Sequence, residues 1–168
     1  MILTSPSNPK IKLIRALRTQ RKQRDEMGLC VVEGIRHVGE VLQAGAQVEY
    51  LCYAPDRLES DFGQQLVAQQ QRLGQPCYAV AAEVFESIAD KENPQGLLAV
   101  VRQSKVHLTD LNAENFSWGV ALVSPQDPGN IGTILRTVDA VGASGLILLD
   151  DSADPYHPSA VRASMGAL

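Results

Sequence analysis

Short apolar runs alternate with amphipathic stretches along residues 1–102 of the chain. Four runs rich in β-branched and aromatic residues predict strands, at 29–32, 48–53, 78–81 and 97–101. Stretches with helical spacing of apolar positions predict helices at 9–24, at 35–44 before a closing Gly45, at 61–73 with Phe62, Leu66 and Leu73 facing inward, and at 82–89. Asn8 and Pro9 mark the start of the first helix as its N-cap and first helical residue. This alternation predicts a three-layer α/β arrangement.

A second α/β series follows a change in pattern. Residues 103–116 are polar and aperiodic, and we interpret them as a linker. Strands are then predicted at 119–123 and 146–149, and helices at 131–141 and from about Ser159 onward. Two strands and two helices leave apolar sheet edges uncovered, and the series is shorter than a usual domain. We therefore expect this second domain to be incomplete within the 168 residues.

The charge of the chain is unevenly distributed. The formal net charge is −4, yet the segment 1–24 holds seven of the 15 basic residues and no acidic residue. The basic residues of this segment are Lys10, Lys12, Arg15, Arg18, Arg21, Lys22 and Arg24. A basic N-terminal helix on an acidic body indicates one localised contact with an anionic partner, not a generally adhesive surface.

The remaining composition restricts the cellular setting. No apolar run reaches the ~18 residues of a membrane span, and the N-terminus lacks the pattern of a secretion signal. We therefore expect a cytoplasmic protein without a membrane contact.

The cysteines Cys30, Cys52 and Cys77 match no metal or disulfide spacing and are expected to be buried thiols. The lone histidines His37 and His157 indicate no metal site.

A Pro/Gly-rich loop at 124–130 has the composition of an anion-binding turn, since it connects a strand to the N-terminus of a helix. Gly132 in the first helical turn would let a ligand approach the backbone closely. Asn130 and Arg136 are six residues apart, so the loop has to bring them to one ligand. The pattern is neither a Walker A loop nor a GxGxxG fingerprint. On spacing alone, Arg136 equally suits an ion pair with Asp139, and Asn130 an ordinary N-cap.

Three segments, in order, resemble the SpoU/TrmH family of knotted RNA 2′-O-methyltransferases, a branch of the SPOUT superfamily. Residues 130–137 with 139–143 resemble the first methyltransferase motif of the family, and 155–158 with 160–167 resemble the next segment. Residues 5–12, the basic helix, 32–34 and 91–96 resemble its ribosomal-protein-like α/β substrate-binding domain. The resemblance implies an RNA substrate-binding domain at 1–102, a linker at 103–116 and the start of a knotted, parallel α/β methyltransferase domain at 117–168.

The resemblance implies methyl transfer from S-adenosylmethionine to a ribose 2′-hydroxyl in structured RNA, with ribosomal RNA favoured over transfer RNA. It places Arg136 and Asn130 in the catalytic centre. Because a guanidinium stays protonated, we expect Arg136 to bind a phosphate and stabilise developing negative charge instead of acting as a base. The side chains expected to contact RNA are Lys10, Lys12, Arg15, Arg18, Lys22, Arg36, Arg162 and Ser164.

The sequence departs from the family in one respect. Its last two motifs, a Gly-Glu-Gly type segment and a Ser-Leu-Asn type segment, are absent from the 168 residues. By resemblance, those motifs form the knot, most of the cofactor pocket and the surface of a homodimer. We therefore expect the cofactor site to lie beyond Leu168 and the 168-residue polypeptide to be inactive alone. Two alternatives stay open: a non-catalytic RNA-binding module, and an unrelated α/β enzyme that binds a phosphate or nucleotide through residues 129–132.

Overall fold

The computed structural model describes residues 2–90, 94–104 and 106–168. The chain forms two compact units, Met1–Arg102 and Gln103–Leu168. Residues 91–93 belong to the segment 91–96 that resembles the family's substrate-binding domain, and they lie outside the described residues. Both units are mixed α/β, so the predicted fold class is confirmed.

The first unit is built around a five-stranded mixed sheet. Its elements are β1 (Ile2–Leu3), α1 (Pro9–Thr19), α2 (Arg21–Met27), β2 (Leu29–Glu33), α3 (Ile35–Gln43), β3 (Val48–Tyr53), α4 (Asp61–Arg72), β4 (Cys77–Val80), α5 (Ala82–Glu86) and β5 (Leu97–Arg102). In the strand order β1-β4-β3-β5-β2, the first three strands are parallel and β5 is antiparallel to both of its neighbours. The two-residue β1 was not predicted, because it is too short to show a period.

Helices cover both faces of this sheet. Successive residues of a strand point to opposite faces. Leu98 and Val100 of β5 pack with α1 and α5 in one core cluster. Leu97 and Ala99 of the same strand are also fully buried, on the face that α3 and α4 cover. The predicted three-layer arrangement is therefore confirmed in the first unit.

The basic segment forms two helices, not the single helix predicted for 9–24. The break lies at Gln20, whose backbone is extended with φ −123° and ψ 111°. The side chain of Arg24 is 2% exposed and donates to the carbonyls of Leu17 at 2.6 Å and Arg18 at 3.4 Å. These hydrogen bonds satisfy carbonyls that have no intrahelical donor, because they lie in the last turn of α1. No glycine or proline marks this break, so the sequence pattern did not reveal it.

The inward face of α4 differs from the predicted one. Phe62 is 54% exposed and Leu73 is 72% exposed, so the prediction that they face the core is wrong. The helix buries Gly63 and Val67 instead. Gly63 lies against Leu58 so closely that a Cβ atom there would be 2.7 Å from a leucine methyl. This close approach sets the rotation of the helix.

Arg18 lies in an internal ion-pair network. Its side chain is 10% exposed, and its guanidinium contacts Glu33 at 2.6 Å, Asp90 at 3.1 Å and the carbonyl oxygen of Ile88 at 2.6 Å. The Glu33 carboxylate also accepts from the backbone N–H of Asp90 at 2.9 Å. The network joins α1 to the end of β2 and to the segment after α5. Arg18 was expected to contact RNA, which requires an exposed side chain, whereas the structure places its guanidinium against internal acceptors.

The cysteines of the first unit are not joined in disulfides in the part of the chain that the structure describes. Cys30 and Cys52 are buried, as predicted, whereas Cys77 is half-buried. Burial raises the pKa of the Cys52 thiol to about 12. This thiol therefore stays protonated at neutral pH and is a poor nucleophile.

The second unit contains a two-stranded parallel sheet and two main helices. After a short 3₁₀ helix (Leu108–Asp110), its elements are β6 (Val120–Val123), α6 (Pro128–Ala140), β7 (Leu146–Leu149) and α7 (Pro158–Ser164). Val123 is 66% exposed and Leu149 is 38% exposed, so apolar side chains of both strands are uncovered, as the pattern predicted. Across the described parts of both units, no helix has the length and apolar character needed to cross a membrane.

The ion-pair network predicts a specific loss of stability. Arg18→Met is expected to lower the free energy of unfolding by about 3 kcal/mol, because it leaves the Glu33 carboxylate nearly buried without its cation. Urea-induced unfolding measures this loss. Lys22→Ala is the matched control in the same basic segment, since its side chain is 85% exposed and lies 3.7 Å from Glu26. The control is expected to cost less than about 1 kcal/mol, and equal losses in the two variants would contradict the role given to Arg18.

Candidate functional site

The carboxyl ends of β6 and β7 lie side by side. The two strands pair in parallel from Val120 opposite Leu146 to Val123 opposite Leu149. The next residues, Ser124 and Asp150, both adopt left-handed backbone conformations, with φ 49° and 55°. Such conformations are uncommon for residues other than glycine. The chain therefore turns sharply at the same edge of the sheet after each strand, where open α/β sheets place their ligands.

The loops after the two strands are bound to each other. The side-chain amide of Gln126 donates to the carbonyls of Ser124 and Asp151, each at 2.9 Å. The backbone N–H of Ala153 donates to the carbonyl of Pro125 at 2.7 Å. Gln126 was not among the predicted site residues. Only its position in the Pro/Gly-rich loop could have indicated that it connects the two loops.

Asp127 sets the start of α6. Its carboxylate accepts from the backbone N–H of Gly129 at 2.7 Å and of Asn130 at 3.4 Å, and Pro128 is the first helical residue. The helix therefore begins three residues before the predicted position, and the reading of Asn130 as an ordinary N-cap is wrong. A capping side chain followed by proline is the same signal that was recognised at Asn8 and Pro9.

Asn130 and Arg136 both lie on the exposed surface of α6. Because Asn130 is inside the helix, the spacing of six positions between it and Arg136 corresponds to about 120° around the helix axis and about 9 Å along it. They do not converge through the loop, and a ligand that touches both has to be of nucleotide size or larger. Among the described residues, no ion pair joins Arg136 to Asp139. The guanidinium of Arg136 is therefore available to an external anion.

Gly132 serves the packing of two helices. A Cβ atom on Gly132 would lie 2.2 Å from the carbonyl oxygen of Ala160 and 2.9 Å from the Cβ of Ala163. Gly132 itself is buried. The prediction that a ligand approaches the backbone at Gly132 is therefore wrong, since α7 fills that space.

Ser164 and Arg162 of α7 were expected to contact RNA, and the structure gives these two side chains different degrees of burial. Ser164 is 1% exposed, and its hydroxyl donates to the carbonyl of Val161 at 2.8 Å. Its hydroxyl is thus engaged inside the second unit, not exposed to a ligand. Arg162 is half-buried in the last turn of the same helix. His157 caps α7, with its ring Nδ1 accepting from the N–H of Ser159 at 3.2 Å.

The basic residues of the first unit differ in their exposure to solvent. Lys12, Arg15, Lys22 and Arg36 are exposed, whereas Arg18 belongs to the internal network described above. Arg15 donates to the hydroxyl of Ser87 at 3.2 Å. The exposed part of α1 thus keeps cationic side chains on its surface.

Lys10 lies between two aromatic rings. Its ammonium nitrogen is 4.4 Å from the centre of the Tyr78 ring and 5.0 Å from the centre of the Tyr50 ring. The rings meet edge to face, with centres 5.6 Å apart. Burial is the main cause that raises the pKa of Tyr50 well above its ordinary value. These cation–π contacts fix the position of a side chain that was expected to contact RNA.

The described residues contain no group of three or more histidine, cysteine or acidic side chains that could hold a metal ion. Asn130 and Arg136 contribute an amide and a guanidinium group to the exposed surface of α6. Such groups donate hydrogen bonds and stabilise negative charge.

Comparisons with known proteins agree with this division of the chain. Residues 8–99 match the MRM3-like substrate binding domain, and residues 117–168 match the SpoU rRNA Methylase family. The chain belongs to the family of the MRM3-like substrate binding domain, whose residues make up more than half of it, and its second unit is similar to the SpoU rRNA Methylase family. The predicted family is thus confirmed, and the alternative of an unrelated phosphate-binding enzyme is discarded.

Individual relatives match nearly the whole chain. An uncharacterised tRNA/rRNA methyltransferase of Synechocystis is 32% identical over 98% of the chain, and the 23S rRNA (uridine(2479)-2′-O)-methyltransferase of Streptomyces viridochromogenes is 33% identical over 96%. The structure of an AdoMet-bound rRNA methyltransferase from Sinorhizobium meliloti superposes with a TM-score of 0.82, at 36% identity over 99% of the chain. The chain spans 58%, 55% and 61% of these three proteins, respectively.

The contact between α6 and α7 at Gly132 yields a prediction. Gly132→Ala is expected to destabilise the second unit by about 2 kcal/mol, because the added methyl group collides with the backbone of α7. Thermal unfolding followed by circular dichroism measures the change. Thr133→Ala, at the neighbouring exposed position, is the control and is expected to change stability by less than about 1 kcal/mol. A Gly132→Ala protein as stable as the wild type would contradict the packing described here.

Proposed function

We propose that the whole protein transfers a methyl group from S-adenosylmethionine to a ribose 2′-hydroxyl of structured RNA, with ribosomal RNA as its substrate rather than transfer RNA. The observation that carries the proposal is the exposed Asn130 and Arg136 on α6, a helix that begins after the carboxyl end of β6, within a segment that matches the SpoU family. Relatives whose names specify ribosomal RNA 2′-O-methylation support the substrate.

In this proposal, Arg136 acts through the positive charge of its guanidinium. Its guanidinium stays protonated and cannot accept the hydroxyl proton. It binds a phosphate next to the target ribose and thereby fixes the position of the 2′-oxygen. It also stabilises the negative charge that develops on this oxygen as the hydroxyl loses its proton to solvent. Asn130, about two turns earlier in the helix, offers an amide to a neighbouring polar group of the same nucleotide.

S-adenosylmethionine supplies an electrophilic methyl group when it is bound. The space over Gly132, where the sequence suggested close approach of a ligand, does not fit this cofactor because Ala160 and Ala163 occupy it. In this proposal, Gly132 therefore makes no contact with the cofactor. The residues assigned to the reaction are those that bind and orient RNA.

The RNA partner meets the first unit at the exposed cations of the basic segment. Lys12, Arg15 and Lys22 are the candidates, because their side chains are exposed. Arg18 is left out of this surface, since Glu33 and Asp90 neutralise it. Contacts of this kind bind phosphates and weaken as the salt concentration rises. The homodimer and the cytoplasmic location stay predictions.

Methyl transfer by the whole protein tests the role of Arg136. Arg136→Ala is expected to lower kcat by about a hundredfold or more, because an electrostatic contact to the reacting oxygen is lost. Arg136→Lys is expected to recover part of the activity, since it restores the charge without the planar fork. Transfer of labelled methyl to ribosomal RNA, followed by nucleoside analysis, measures both. Wild-type activity in Arg136→Ala would remove this residue from the mechanism, and methylation of a base alone would overturn the proposed reaction.

A further inference from the structure

A groove between α3 and α4 lies on the outer surface of the first unit. Its volume is about 700 Å³, within the range of ligand sites. The ring of Phe62 lines it and is 54% exposed. Leu66, one turn further along α4, is half-buried beside it. An aromatic ring on a solvent-facing helix surface is available for stacking.

Gly39 keeps this groove open. It lies in the middle of α3, where glycine is less favourable than alanine. A Cβ atom there would lie 3.5 Å from two ring atoms of Phe62 and 3.6 Å from a methyl of Leu66. Alanine would therefore fit against the ring, whereas a larger side chain would occupy the groove.

The polar lining of the groove matches the groups of a nucleotide. Arg36 is exposed, and it forms no ion pair in the part of the chain that the structure describes. Glu40, one turn along α3, also lines the groove, together with the side chains of Gln43, Gln69 and Gln70. A carboxylate repels a phosphate but accepts hydrogen bonds from the amino groups of bases. Amides both donate and accept, as base edges require.

We propose that this groove binds an unpaired nucleotide of the RNA substrate. The base stacks on Phe62, its edge bonds to Glu40 and the glutamine amides, and a flanking phosphate pairs with Arg36. Single-stranded RNA is recognised in this way, by aromatic stacking combined with hydrogen bonds to base edges. The inference rests on the proposed function, because it takes RNA as the partner. It adds a second contact, on a different surface from the cations of α1.

Fluorescence anisotropy of a short labelled, unstructured RNA with the intact protein tests the groove. Phe62→Ala is expected to weaken binding about tenfold, the loss of one stacked base. Gly39→Leu fills the groove without removing the ring and is expected to weaken binding to a similar extent. Leu73→Ala is the matched control, because Leu73 follows α4, is 72% exposed and does not line the groove. Thermal unfolding of each variant shows that the protein is folded during the measurement.

The outcomes separate this inference from the proposed function. The Lys12→Ala/Arg15→Ala double variant is expected to weaken binding and to reduce its salt dependence. Affinities of Phe62→Ala and Gly39→Leu within about twofold of the wild type, with the double variant weakened, would overturn the groove and leave the proposed function intact. No RNA affinity in the wild type would overturn both. Loss of self-association in Phe62→Ala with unchanged RNA affinity would assign the groove to a second copy of the chain and overturn the proposal.

Discussion

The position of Arg136 depends on where α6 begins, and the carboxylate of Asp127 determines that start. By accepting from the backbone N–H groups of Gly129 and Asn130, it fixes the first turn directly after the loop of β6. Arg136 then emerges about two turns along an otherwise rigid element. At Gly132, one turn before Arg136, α7 packs closely against the same helix. The candidate catalytic side chain is thus placed by a cap at one end and by a glycine contact along the helix.

The bond between the two loops adds to this placement. Parallel strands end at one edge of a sheet, and both loops leave that edge through left-handed residues. Gln126 then connects the loop after β6 to the loop after β7. A change in the position of either strand end would therefore alter the conformation of both loops. Sites built on such a braced edge hold their ligands with little reorganisation.

Local patterns predicted most of the fold. The strands 48–53 and 146–149 are found with the predicted bounds, because short apolar runs bounded by turn residues are typical of strands. The start of α1 was predicted from Asn8 and Pro9, and the same cap-and-proline signal stands at the starts of α6 and α7. The family resemblance identified the segment that carries the candidate site.

The remaining features depend on contacts between residues distant in the sequence. Arg18 was placed on the surface because helical spacing says nothing about Glu33, 15 residues away, or Asp90, 72 residues away. Gly132 was read as a ligand contact because the approach of α7 is not visible in the local pattern. Phe62 was assigned to the core because a phenyl ring usually lies there. Each error arose where a tertiary contact, not a local preference, decides the outcome.

The proposal that the whole protein methylates a ribose of ribosomal RNA through a site that contains Arg136 can be tested in cells. The most direct measurement compares ribose methylation across the ribosomal RNA of cells with the intact gene and cells in which the Arg136 codon is changed to alanine. In the cells with the alanine codon, we expect the loss of a 2′-O-methyl group at a defined nucleotide, with the protein still present at its normal level. An unchanged methylation pattern across all ribosomal RNA would contradict it.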